Sequence, residues 1–185
     1  MELLHGLDLW LFHFVNSTLS HPWLDQFFPA ITDLHKGLAF QLIVPVAVFA
    51  LLWRKYQKKS FLIFFGLLIS LALNDATSTA LLKNQVQRTR PFETAGVVAI
   101  QRSPAGGYSF PSNHAANMFN LAGYLGAFLP AVAPFLYAAA ALVAYSRVYC
   151  GVHYPTDIFV GALWGLLWAY VLTFAVRQLL KRFAR

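Results

Sequence analysis

Residues 60–82 read SFLIFFGLLISLALNDATSTALL and run directly into Lys83-Asn84-Gln85-Val86-Gln87-Arg88-Thr89-Arg90-Pro91. A helix needs roughly 20 apolar residues to cross a bilayer, with about 17 as the lower limit. The first stretch has that length and ends on cations. Apolar runs also cover 37–53, 114–129, 134–149 and 157–180. The pattern predicts an all-α fold, an integral membrane helical bundle of about five transmembrane helices. Three of the runs are near or below the limit, so their ends are expected to extend into neighbouring polar residues. No repeat, linker or low-complexity tract interrupts the chain. One membrane-embedded domain is expected over 1–185, with 1–36 as an N-terminal segment and 37–180 as the transmembrane core.

Composition agrees. The chain is 58% hydrophobic and 11% charged, whereas soluble domains carry about 25% charged residues. The net charge of +7 reads as topology rather than nucleic-acid binding, because the basic residues cluster beside apolar runs. Cys150 is the lone cysteine, so no intrachain disulfide forms. The N-terminus lacks the basic region, apolar run and cleavage site of a secretory signal. Insertion is therefore expected to rest on the membrane segments themselves.

In the first 36 residues, His5, Asp8, His13 and Asn16 share one side of a helical wheel, and Leu4, Leu7, Trp10, Leu11 and Phe14 fill much of the rest. That pattern suits a helix lying in the membrane interface. Asn16, Ser17, Thr18, Ser20, His21 and Pro22 then break the run, which disfavours a sixth span. Orientation follows from lysine and arginine. Arg54, Lys55, Lys58 and Lys59 fill the loop after the first span, and Arg177, Lys181, Arg182 and Arg185 close the chain. Four spans separate these clusters, so both belong on the cytoplasmic side. The loop 83–113 and the turn at His153 then share the outer side.

Three segments at that outer face carry chemistry: Lys83 to Pro91, Pro111-Ser112-Asn113-His114, and Ser146-Arg147 followed by His153 and Asp157. Lys83, Arg90 and Arg147 suit a phosphate ester, arginine offering a bidentate fork to its oxygens. Ser112 stands where the third helix begins, and backbone N–H groups at a helix start favour an anion. His153 with Asp157 has the pairing of an activated imidazole, one ring nitrogen held by the carboxylate and the other free to attack phosphorus. His114 suits a general acid for the leaving oxygen. Each pattern alone has a plainer account: loop charges near headgroups, a helix cap, or a structural hydrogen bond. Their joint occurrence in order at one face favours the chemical account. Seven acids scattered along the chain offer no carboxylate cluster for magnesium or calcium, and no close His/Cys/Glu set suggests zinc. Metal-independent chemistry without a cofactor is expected.

These segments resemble the signature of the type 2 phosphatidic acid phosphatase superfamily, which also includes soluble vanadium haloperoxidases and bacterial acid phosphatases. That signature is Lys, six residues, Arg-Pro; Pro-Ser-Gly-His; and Ser-Arg, five residues, His, three residues, Asp. The first and third parts match at every defining position. The second departs once, with Asn113 where glycine is usual. The resemblance implies that His153 is the nucleophile forming a phosphohistidine, Asp157 its partner and His114 the acid for the leaving group. It also implies that Lys83, Arg90, Ser112, Asn113 through its backbone, and Arg147 hold the phosphate. Arg88 is a further candidate for phosphate or headgroup contact. Asp75, with Asn74, Thr77 and Ser78, lies inside the second span, where helix packing is favoured over catalysis. Glu93, Arg102 and residues 106–108 read as outer loop, and Cys150 as a packing residue.

The expected partners are the bilayer and a membrane lipid phosphate, with no nucleic acid. Undecaprenyl diphosphate stands first among the expected substrates, followed by lipid A, phosphatidylglycerophosphate and phosphatidic acid. A lipid phosphotransferase and a non-enzymatic lipid carrier or scramblase are the alternatives. The expected setting is the plasma (inner) membrane, with the active site on the outer or periplasmic face and the C-terminus cytoplasmic.

Overall fold

The computed structural model describes residues 2–182, which hold helices and loops and no strand. Helix α1 covers Glu2–His13 and runs on through a π-helical turn, Phe14–Thr18. Helix α2 is Pro22–Asp33, α3 Leu38–Tyr56 and α4 Ser60–Thr77. The last continues through a π-helical stretch, Ser78–Lys83, into the short α5, Asn84–Val86. After a long loop come α6 (Asn113–Phe128), α7 (Ala133–Tyr149) and α8 (Pro155–Arg182). Each of the five apolar runs is thus a helix. Pro22, Pro134 and Pro155 sit at helix starts, where a missing N–H removes no intrahelical bond.

Helix α6 stands in the middle, packed against α4, α7 and α8. Its contact with α8 is backbone to backbone. A Cβ at Gly165 would fall on the Ala116 carbonyl, and one at Gly161 would reach 2.5 Å from the Ser112 carbonyl. Small residues let membrane helices approach this closely. Against α4 the contact is a polar ladder. Ser70 Oγ donates to Asn120 Oδ1 (2.9 Å), Asn74 Nδ2 to Asn117 Oδ1 (2.6 Å), and Ser78 Oγ to Asn113 Oδ1 (3.1 Å). Such bonds contribute roughly 0.6 kcal/mol each between membrane helices. The ladder fixes the register of α4 on α6 and so sets Lys83 beside Pro111. Asp75 belongs to it, accepting from Asn113 Nδ2 at 2.8 Å, in keeping with a packing role.

The outer surface is apolar. Leu38, Leu42, Ile43 and Val46 on α3, Phe65 on α4, Phe135 on α7, and Phe159 and Tyr170 on α8 are all exposed. A patch of this extent needs a bilayer or partner to cover it. Leu38–Glu93 (holding α3 and α4), Pro130–Tyr149 and Pro155–Arg182 are long and apolar enough to cross a membrane. With 16 residues, α6 is shorter than the roughly 20 a crossing needs. The two basic clusters meet at the far end of α6, where Lys55 Nζ donates to the Phe128 carbonyl (2.8 Å) and Arg177 Nη2 to that of Ala127 (2.6 Å). Cations suit a helix C-terminus. Arg185 lies outside the described residues.

The N-terminal segment departs from the picture of a helix whose polar side meets headgroups. Asp8 and Asn16 are buried, while Leu7, Trp10 and Phe14 are exposed. Asn16 donates to the carbonyls of Ile100 and Tyr149 and accepts from the Ile100 N–H. The polar side points inward because these groups find protein partners there.

Gly165→Val should lower stability by about 1–3 kcal/mol, the usual range for overpacking, read as an earlier thermal unfolding midpoint in detergent. Gly6→Ala, where a Cβ meets nothing within 4 Å, should not lower it.

Candidate active site

The π-helical end of α4, the loop 88–111, the start of α6, the end of α7 and the turn before α8 converge at one end of the bundle. Ser112 caps α6, its Oγ accepting from the Ala115 N–H at 3.5 Å. Its own N–H donates to the Asp157 carbonyl at 3.0 Å, which ties the second sequence segment to the third. Lys83 Nζ donates to the carbonyls of Tyr108 (3.0 Å) and Pro111 (3.1 Å). Arg90 is buried, and its donors reach the carbonyls of Gly106, Gly107, Tyr108 and Val152. One stretch, 106–111, therefore accepts from both cations.

His153 is buried in the turn after α7. Gly151 makes that turn possible: its φ is +76°, and a Cβ there would fall 2.5 Å from the Ile100 carbonyl oxygen. Arg90 Nη1 lies 3.3 Å from His153 Nε2. An arginine only donates, so Nε2 carries the lone pair and the ring proton belongs on Nδ1. Nδ1 faces Asp157 Oδ2 at 3.4 Å, an ion-pair distance whose geometry falls short of a formed hydrogen bond. Burial pulls the His153 imidazole down to about 4, against the upward pull of Asp157, so the ring is neutral at neutral pH. Asp157 is fully buried, accepting from the Tyr154 N–H at 2.8 Å and from Arg88 Nη1 at 2.8 Å.

Arg147 is buried near the end of α7, with Nη1 on Thr32 Oγ1 at 2.7 Å. His114 lies in the first turn of α6, edge-on to His35 with ring centroids 5.1 Å apart. His114 Nε2 and Arg147 Nε are buried and have no hydrogen-bond partner. Asn113 turns its side chain away from the site, to Ser78 and Asp75. Arg88 sits behind the histidine–aspartate pair. Its donors are taken by Thr156 Oγ1, Asp157 Oδ1 and Asp8 Oδ2 at 2.7–2.8 Å, and its guanidinium covers the Tyr154 ring at 3.8 Å.

Three residues here had no signal in the sequence: Thr32, His35 and Thr156. Asp8 had a trace, as the one carboxylate on the polar side that it shares with His5, His13 and Asn16. Among the described residues, no three His, Cys, Asp or Glu gather closely enough to hold a metal ion. A cavity of about 520 Å³ between α1, α6, α7 and α8 lies behind Thr156, lined by Leu7, Leu11 and Phe159 among others. None of the three motif segments' cations or histidines lines it. A cleft of about 300 Å³ between α3, α4 and α6 has His35 in its wall, with Val48, Leu67 and Leu121. That cleft therefore reaches the neighbourhood of His114.

The chain is similar to known proteins along most of its length. It is 27% identical over 190 residues to a lipid A 4'-phosphatase of Bacteroides thetaiotaomicron, covering 98% of this chain and 82% of the relative. It is 30% identical to phosphatidylglycerophosphatase B of Bacillus subtilis, covering 89% and 81%. The crystal structure of Aquifex aeolicus LpxE superposes with a TM-score of 0.70 at 27% identity, covering 90% of this chain and 94% of that one. The family model described as the PAP2 superfamily matches residues 63–181, a range that contains Lys83, Arg90, His114, Arg147, His153 and Asp157. The chain belongs to the PAP2 superfamily.

Proposed function

We propose that this chain is a membrane phosphatase that hydrolyses a lipid phosphate or diphosphate, without a metal, through a phosphohistidine at His153. One observation carries the proposal: the His153 ring stands between Asp157 on Nδ1 and Arg90 on Nε2, which puts the ring proton on Nδ1 and the lone pair on Nε2, beside a cation that can also receive a phosphate oxygen. In the first step that lone pair attacks phosphorus, the bond from phosphorus to the leaving oxygen breaks, and His114, protonated once the phosphate anion lies beside it, gives that oxygen a proton. In the second, water attacks phosphorus, His114 takes a proton from that water, the bond from phosphorus to His153 Nε2 breaks, and inorganic phosphate leaves. Lys83, Arg90, Arg147 and the N-terminus of α6 at Ser112 and Asn113 hold the phosphate oxygens. The bare His114 Nε2 and Arg147 Nε support this role, since a buried unpaired polar atom costs about 1–3 kcal/mol and phosphate oxygens would pair both. The lipid tail lies in the cleft beside His35.

In the same proposal the site faces the outer side of the plasma membrane and the C-terminus is cytoplasmic. Both basic clusters lie at the opposite end of the bundle from the site, in line with the positive-inside rule. The substrate is a lipid phosphate of bacterial type. Undecaprenyl diphosphate stands first on the sequence reading. Lipid A and phosphatidylglycerophosphate stand beside it, a reading supported by relatives named lipid A 4'-phosphatase and phosphatidylglycerophosphatase B.

Purified protein in detergent with a chelator should release phosphate from one or more of these lipids. His153→Ala should reduce release on the order of 10³-fold or more, as removal of a nucleophile does. Near-normal activity in the variant would sink the nucleophile assignment, and strict magnesium dependence would sink the metal-free route. Phosphate transfer to an added acceptor lipid in place of water would make the enzyme a transferase. Lipid movement that survives His153→Ala, with no release, would make it a carrier.

His114→Ala should cost about 10²–10⁴-fold with a lipid substrate, and far less with an aryl phosphate whose leaving group needs no proton. Equal losses with both would remove His114 from the acid role.

His153 is protonated only as pH falls through about 4, below its ordinary 6.5. With that aryl phosphate, the acid limb of the rate profile should therefore lie well under pH 6. A limb centred near 6.5 would contradict the buried, neutral nucleophile.

A further inference from the structure

Asp8 is 4% exposed although it lies on the first helix, far in sequence from the three motif segments. Its Oδ1 accepts from the Thr156 N–H at 2.9 Å, and its Oδ2 accepts from Thr156 Oγ1 at 2.7 Å and Arg88 Nη2 at 2.7 Å. The same guanidinium gives Nη1 to Thr156 Oγ1 (2.7 Å) and to Asp157 Oδ1 (2.8 Å). Its plane is held on the Tyr154 ring. Thr156 lies in the first turn of α8, so Asp8 also supplies an acceptor to a helix start whose N–H groups have none of their own.

The geometry points to Asp8 as a positioning residue that acts on His153 through Arg88 and Asp157. The inference rests on the phosphohistidine proposal above. Two effects follow from the contacts. The first is orientation. With Oδ1 pinned by Arg88 and Oδ2 accepting from Tyr154 N–H, the carboxylate of Asp157 cannot rotate, and Oδ2 stays opposite His153 Nδ1. The second is charge. Asp8, Arg88 and Asp157 together carry one net negative charge, because two carboxylates share one guanidinium. When Nε2 bonds to phosphorus the His153 ring becomes cationic, and that remaining negative charge stabilises it. Without Asp8, Arg88 would neutralise Asp157 alone and the pair beside the ring would carry no net charge. In this inference Asp8 reaches the phosphate only through Arg88, Asp157 and His153, so its effect belongs to the chemical step and not to binding.

The test is steady-state kinetics on a lipid phosphate for Asp8→Asn, Asp8→Glu, Asp157→Asn, Asp8→Asn/Asp157→Asn and His153→Ala. Asp8→Asn should lower kcat about 10- to 100-fold, the scale for groups that orient a catalytic one, with KM within about twofold. Asp8→Glu should recover part of the rate. The double variant should be no slower than Asp157→Asn, because the two residues act along one path. A full-rate Asp8→Asn enzyme, or a loss that adds in full to that of Asp157→Asn, would overturn the inference. Should Asp8→Asn not fold, Arg88→Lys keeps the charge and removes the fork that bonds Asp8 and Asp157 at once. A rate loss there that vanishes beside Asp157→Asn supports the link, and an unchanged rate overturns it. Activity retained by His153→Ala would instead defeat the phosphohistidine proposal, whatever Asp8→Asn does.

Discussion

The site depends on the backbone contact between α6 and α8. Gly161 and Gly165 let the two helices touch at Ser112, Ala115 and Ala116, and at that contact the Ser112 N–H donates to the Asp157 carbonyl. Segments more than 40 residues apart in sequence are thereby held at hydrogen-bond distance, as the positions of Ser112 and Asp157 show. No side chain larger than hydrogen fits at Gly165. The distance from the helix start at Ser112 to the ring of His153 is therefore set by backbone, which deforms less readily than side chains.

The polar ladder between α4 and α6 sets the remaining coordinate. Ser70, Asn74 and Ser78 meet Asn120, Asn117 and Asn113 in sequence. A membrane helix gains little from sliding one apolar face over another, since lipid is as apolar as leucine. Directional bonds supply the register that packing leaves loose. The same bonds account for Asn113 where the superfamily pattern has glycine: its side chain completes the ladder with Ser78 and Asp75.

Buried cations need acceptors, and here the main chain provides them. The carbonyls of residues 106–108, Pro111 and Val152 receive Lys83 and Arg90. Arg88 is treated differently, placed between two carboxylates. Three cations from one short segment of sequence thus have two kinds of surroundings. Lys83 and Arg90 lie among neutral carbonyls, with no carboxylate in hydrogen-bond contact. Arg88 is paired with both Asp8 and Asp157.

The all-α membrane class, the five long helices and the gathering of Lys83, Arg90, Ser112, Arg147, His153 and Asp157 at one end were legible in the sequence. Hydrophobic run length and motif spacing are local properties, and local properties survive without knowledge of the fold. The inward turn of α1 was not legible, because a helical wheel shows which residues share a side but not whether that side meets water, headgroups or protein. Asp8 and Asn16 share the polar side of their wheel with His5 and His13, yet only Asp8 and Asn16 are buried. Nor did motif spacing separate Arg88 from Arg90, two residues apart. Their different surroundings come from Asp8, Thr156 and the 106–108 carbonyls, which only the packing of distant segments brings to them.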